Sequence, residues 1–207
     1  MAELMIIAAG CMWGSMGLWV RRFSGFGLGS LEILAMRVMV TVITMGVFLF
    51  TYNREYMKIR LKDCWCFVGT GILSIVFFGY CYNRTIMMTS MSVAAILLYT
   101  APVFVMVMSR FLFGEIFSLA RLTALILAFS GCVLVTGLIG GQNTVSMVGI
   151  LTGLGSGFGY ALYSIFSRYA LEKGYHPFTV TWYTFVFALA AVLVLADFSK
   201  IGEFWAA

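Results

Sequence analysis

The sequence predicts an all-α polytopic membrane protein with about seven transmembrane helices. Three observations lead there. Hydrophobic residues make up 62% of the chain and charged residues 10%, against roughly 45–50% and about 25% in an ordinary soluble domain. The apolar residues gather in runs near the ~20 residues that a membrane-crossing helix needs. A stretch of the first run also returns in the sixth. Gly10-Cys11-Met12-Trp13-Gly14-Ser15 and the residues up to Arg21 match Gly157-Phe158-Gly159-Tyr160-Ala161-Leu162 and the residues up to Arg168 at one constant offset. An internal repeat in such a protein points to a transporter.

The runs, in order, are Leu4–Val20, Leu31–Tyr52, Cys64–Tyr82, Val93–Phe113, Leu119–Leu138, Met147–Ser167 and Thr179–Ala196. The first follows Met1-Ala2-Glu3 without the basic region of a cleaved signal peptide, so it reads as a retained span. The second contains Arg37, about two turns in. The third ends at a polar group, Asn83-Arg84-Thr85, that reads as a solvated loop. The fourth is interrupted by Pro102, whose ring clashes with the carbonyl of residue 98 and which offers no N–H. It closes at Gly114-Glu115, where Glu115 can pair with Arg110 or Arg121 and fix the turn. In the sixth, Gly149, Gly153, Gly157 and Ala161 recur every four residues as one small-residue ridge, and Gly10 and Gly14 are the equivalents of Gly157 and Ala161 in the first. Such ridges let helix backbones approach closely in lipid, and the two together suggest a shared interface.

Charge sets the expected orientation. The connections at 53–63, 114–118 and 168–178, with their flanks, carry Arg54, Lys58, Arg60, Lys62, Arg110, Arg121, Arg168 and Lys173. The opposite side carries Arg21, Arg22, Arg84 and Lys200. The positive-inside rule then puts the N-terminus in the cytoplasm and the C-terminus of this chain outside, in what is expected to be a bacterial plasma membrane. Spans one and six run in opposite directions on that plan, which makes the repeat an inverted one. The net charge of +5 lies in these short connections, so no nucleic-acid partner is expected.

In their order and spacing, several pieces resemble the EamA branch of the drug/metabolite transporter superfamily. They are Trp13-Gly14-Ser15, Leu34-Ala35-Met36-Arg37, Tyr99-Thr100-Ala101-Pro102-Val103-Phe104, Phe113-Gly114-Glu115, Leu127 to Leu134, and Tyr160-Ala161-Leu162-Tyr163-Ser164. The resemblance implies a ten-helix bundle of two inverted five-helix repeats that moves small metabolites or drugs by alternating access. On that plan residues 1–140 are the first repeat, residues 145–207 are an incomplete second one, and three helices are missing. A non-functional truncated fragment, or a half-transporter that completes its bundle as a homodimer, are the alternatives. The expected partners are the lipid bilayer and a small-molecule solute.

The substrate-pathway candidates are Trp13, Ser15, Arg37, Tyr99, Pro102, Tyr160 and Tyr163. Aromatic walls with a few hydroxyls suit small amphipathic solutes, although the same residues serve plain helix packing equally well. Arg37 could bind a carboxylate or phosphate. Its off-centre depth favours instead a structural arginine that snorkels outward or pairs with Glu32. A kink at Pro102 either lines a cavity or is inert. No catalytic residue, cofactor or metal is expected. The five cysteines, Cys11, Cys64, Cys66, Cys81 and Cys132, form no framework or ligand spacing, and His176 is the only histidine. Ser156 lies between two glycines but has no intramembrane histidine or lysine to activate it. No carboxylate sits at mid-membrane, which argues against proton coupling through a buried acid.

Overall fold

The structure, a computed structural model, describes residues 2–115, 119–135, 146–197, 199 and 201. Among the described residues it is helical without strands. Six helices there are long and apolar enough to cross a bilayer: Glu3–Gly25, Ser30–Tyr52, Leu61–Met88, Met91–Phe113, Met147–Glu172 and Pro177–Leu195. They are spans one, two, three, four, six and seven. Span five is described as a helix over Leu119–Val135; residues 136–138 of the expected run lie outside the described residues, as do most of residues 199–207. The all-α polytopic fold class is as the sequence predicts.

Local chemistry accounts for the helix ends. Ser90 Oγ accepts the Val93 N–H at 3.1 Å, and Ser146 Oγ accepts the Gly149 N–H at 3.1 Å. Each thereby satisfies one of the N-terminal donors that a helix leaves open. Span seven starts on Pro177, whose fixed φ suits the first helical turn. Span four ends on Gly114 at φ +67°, a left-handed cap that glycine adopts without steric cost.

Two spans depart from regular helix. Span three is α-helical over Cys64–Val68, widens to a π-helix over Gly69–Val76, and returns to α-helix over Phe77–Met88. Span four breaks between Leu98 and Ala101, the start of the segment that carries Pro102. At the break the Thr100 hydroxyl donates to the Leu97 carbonyl at 2.6 Å.

The end of span three differs from the sequence expectation. The helix does not give way to a loop at Asn83-Arg84-Thr85; it runs on to Met88. Asn83 and Thr85 are fully buried. Asn83 Nδ2 donates to the Ser30 carbonyl at 3.1 Å, and Thr85 Oγ1 donates to Thr152 Oγ1 at 2.9 Å. Arg84 points away and lies over the Tyr80 ring, 5.8 Å from its centroid. Helical phase separates the three neighbours, putting two inside and one outside.

Span six is central: it packs along spans three and four, while span two packs along span seven and span one leans on span three. The core of this arrangement has three parts. Leu34, Ala35, Val38, Val76, Ala188 and Val192 join spans two, three and seven. Val20, Ile33, Ile86 and Ala94 join one, two, three and four. Cys66, Phe67, Ala170 and Val180 join three, six and seven. Hydroxyls link the spans across this core, with Ser74 donating to the Gly159 carbonyl at 2.8 Å and Thr184 to Thr70 at 2.7 Å. Large apolar side chains such as Ile6, Val47, Phe111, Leu127 and Val194 are exposed.

Candidate functional site

Three cavities adjoin along one face of span six, and Tyr160, itself partly exposed, lines all of them. The first, of about 220 Å³, lies among spans one, two, three, six and seven. Its wall includes Trp13, Leu34, Arg37, Val38, Thr41, Ser74, Phe78, Tyr160, Tyr163 and Phe185. The second, of about 590 Å³, is bounded by Gly10, Trp13, Gly14, Tyr82, Tyr99, Pro102 and Tyr160. The third, of about 350 Å³, extends from Pro102 and Tyr160 to Ser109, Glu115 and Ser164.

Six of the seven expected pathway residues therefore border one or more of these cavities. Ser15 does not: its hydroxyl donates to the Met12 carbonyl of its own helix at 2.9 Å. Trp13 and Tyr160, the aromatic pair matched at one offset in the sequence, meet edge to face with centroids 6.5 Å apart. Phe78 completes a triad, 6.4 Å from Trp13 and 5.9 Å from Tyr160. Such aromatic geometry is favourable in itself, and Phe78 also stacks on Tyr82 with centroids 5.5 Å apart.

Span two contributes Leu34, Arg37, Val38 and Thr41, a single helical face. Arg37 lies in a cavity wall that, among the described residues, carries no carboxylate. Its Nη1 is buried and no protein acceptor reaches it. Glu32 is not its partner; Glu32 Oε1 accepts the Asp197 N–H at 3.4 Å instead. The Glu32-paired geometry expected from the sequence is thus absent.

The small-residue ridge of span six packs on the break in span four. A Cβ on Gly157 would stand 2.5 Å from Thr100 Oγ1 and 3.1 Å from the Leu97 carbonyl oxygen, and one on Gly153 would collide with the Leu97 side chain. Gly149 and Ala161 are buried. Gly10 and Gly14 are exposed, and a Cβ on either would meet nothing within 4 Å. The ridge of span six thus packs on span four at the Leu97–Ala101 break, and Gly10 and Gly14 take no part in that contact. On span one it is Gly17 that is packed, against Met91.

Ion pairs close the end of the bundle that holds the basic connections. Arg168 pairs with Glu115 across spans six and four and lies 3.9 Å over the Phe113 ring. Arg168 thus joins Glu115, whose carbonyl also accepts from Arg110 at 3.2 Å; the side chain of Arg121 lies outside the described residues. Lys173 pairs with Asp63, and the Tyr175 hydroxyl donates to the same carboxylate at 2.7 Å. The hydrogen bond to Asp63 raises the pKa of Lys173 above the ordinary lysine value, and burial raises that of Tyr175.

Sequence reasoning missed Phe78, Thr41 and Ser74. The i, i+3, i+4, i+7 spacing from Leu34 to Thr41 and the i, i+4 pair Ser74–Phe78 are the signals that could have found them. Among the described residues no group of histidine, cysteine or acidic side chains could hold a metal ion.

Residues 1–137 match the model of the EamA-like transporter family. The chain is similar to the uncharacterized transporter YdfC of Bacillus subtilis, 28% identical over 90% of this chain and 61% of that protein. It is 29% identical to an uncharacterized transporter of Synechocystis over 66% of this chain and 41% of the relative. With an uncharacterized transporter of Archaeoglobus fulgidus the identity is 33%, over 60% of this chain and 45% of the relative. The chain thus spans less than two thirds of the length of these relatives. No solved structure matches it.

Proposed function

The chain belongs to the EamA-like transporter family, and on that premise we propose that it carries a small solute across the membrane by alternating access. The solute binds in the cavity between span one and span six. One observation carries this reading: Trp13 and Tyr160 occupy equivalent places in the repeat and touch across that cavity. An inverted repeat brings equivalent helices together at its pseudo-twofold axis, which is where transporters of this construction hold their cargo. The aromatic triad and the hydroxyls of Thr41, Tyr160 and Tyr163 suit an amphipathic solute. Pro102 and the break beside it border the second cavity, where a discontinuous helix can move without exposing unpaired backbone to lipid. The role is transport and not catalysis.

Alternating access is tested by labelling. In a variant with Cys11, Cys64, Cys66, Cys81 and Cys132 replaced by serine, Tyr160→Cys is expected to react with an impermeant thiol reagent added to either face of sealed vesicles. Ala161→Cys, one residue on and fully buried, should react from neither. A trapped dye must stay inside throughout, which excludes a leak. Labelling of Tyr160→Cys from one face alone refutes the mechanism.

A further inference from the structure

We propose that the solute is a small monoanionic carboxylate with an apolar, flat body, its carboxylate received by Arg37 and its body held by Trp13, Phe78 and Tyr160. The inference rests on the reading of the cavity as the solute site and adds the chemical class of the solute. A half-buried guanidinium in a largely apolar wall is costly without a counter-charge, and among the described residues no carboxylate lines the cavity beside Arg37. Its Nη1 is buried without a protein acceptor. An anionic guest supplies the missing charge, and a carboxylate matches the guanidinium fork in a two-point hydrogen bond.

Two further features narrow the class. Arg37 is the one cation among the cavity's lining residues, so the wall balances a single negative charge and not a phosphate dianion. Ser74 is already committed, donating to the Gly159 carbonyl, which leaves few groups to hydrate a second charge. The volume of about 220 Å³ is below the roughly 300–1,000 Å³ of pockets for drug-sized ligands. It suits a compact metabolite. The ring faces of Trp13, Phe78 and Tyr160 favour a planar apolar body.

The test is equilibrium binding to the purified full chain in nanodiscs, read by tryptophan fluorescence. The probes are phenylacetate, its neutral isostere phenylacetamide, and phenyl phosphate. Phenylacetate is expected to bind saturably, at least tenfold more tightly than either of the others. Arg37→Gln should cut phenylacetate affinity at least tenfold and leave phenylacetamide unchanged. Arg37→Lys, which keeps the charge and loses the fork, should fall between. Should Arg37→Gln fail to fold, the comparison of the three probes on the unaltered chain and on Arg37→Lys still decides. Equal binding of phenylacetate and phenylacetamide, tighter binding of phenyl phosphate, an Arg37→Gln variant that binds phenylacetate normally, or no saturable phenylacetate binding overturns the proposal. Binding is measured at equilibrium and does not need transport. Two-sided labelling of Tyr160→Cys with no charge preference would therefore sink the carboxylate assignment alone. Arg37-dependent binding with one-sided labelling would sink alternating access alone.

Discussion

At the scale of single residues, glycines of similar sequence context have different energetic weight. Gly157 faces Thr100 and the Leu97 carbonyl, whereas Gly14, in the corresponding ridge of span one, faces open space. Gly157→Ala forces a methyl into contact with backbone, and overpacking of this kind costs about 1–3 kcal/mol. Thermal unfolding in detergent should show a lowered midpoint for Gly157→Ala and none for Gly14→Ala; equal shifts would contradict the packing described. The contrast also shows what a single residue's sequence context reveals. Arg37 was conspicuous because charge is rare in a span. Phe78 was not, being one of 19 phenylalanines, and only its contacts with Trp13 and Tyr160 distinguish it. A glycine's partner is invisible until the facing helix is placed.

At the scale of the element, polar side chains between spans set how helices are registered. Thr184 donates to Thr70 in a fully buried contact between spans seven and three. Interhelical hydrogen bonds in membranes average about 0.6 kcal/mol and reach about 1.7 kcal/mol in double-mutant cycles. A cycle of Thr70→Val, Thr184→Val and the pair, read by reversible unfolding, should give a coupling in that range; a coupling of zero would make the contact incidental. The spans themselves were legible, since runs of about 20 apolar residues have few other uses. The end of span three was not. A string of Asn83, Arg84 and Thr85 reads as a loop in one dimension, while their burial depends on Ser30 and Thr152, which lie far along the chain. The π-helical stretch left no sequence mark for the same reason: its glycines serve contacts with spans six and seven. A Cβ on Gly71 would stand 2.5 Å from the Thr184 carbonyl oxygen.

At the scale of the whole molecule, the sequence pairs Trp13 with Tyr160 at a constant offset, and the two rings meet edge to face. The partner of each small-residue ridge was not legible, because equivalence in sequence does not say which other helix comes between. The ion pairs at one end of the bundle tie the connections together. Lys173 holds Asp63 of span three from the link between spans six and seven. The Lys173 pKa is raised by its hydrogen bond to Asp63. A cation with a raised pKa contributes its stability in full below the unfolded value, about 10.4, and loses it as pH rises through the folded value. Hydrogen exchange in residues 54–63 and 173–177 is therefore expected to stay constant from about pH 6 to 9, after correction for intrinsic rates. It should speed up in stronger alkali. Lys173→Gln should show the faster exchange already at neutral pH; protection equal to that of the unaltered chain would mean that the tie holds nothing.

The π-helix of span three has a consequence of a different kind. It works as a phase shifter: it takes up the twist of the helix and so sets the direction in which the side chains from Phe77 onward project. Forcing all eight residues of Gly69–Val76 into α-helix, which turns further per residue than a π-helix, would rotate the remainder of the span by on the order of 100°. Phe78 would then swing away from the cavity, and Asn83 and Thr85 would lose their partners and face lipid. The span would keep its hydropathy and its place in the membrane. The aromatic triad and the polar seam would nonetheless be lost together, since both are set by the angular offset introduced within those eight residues.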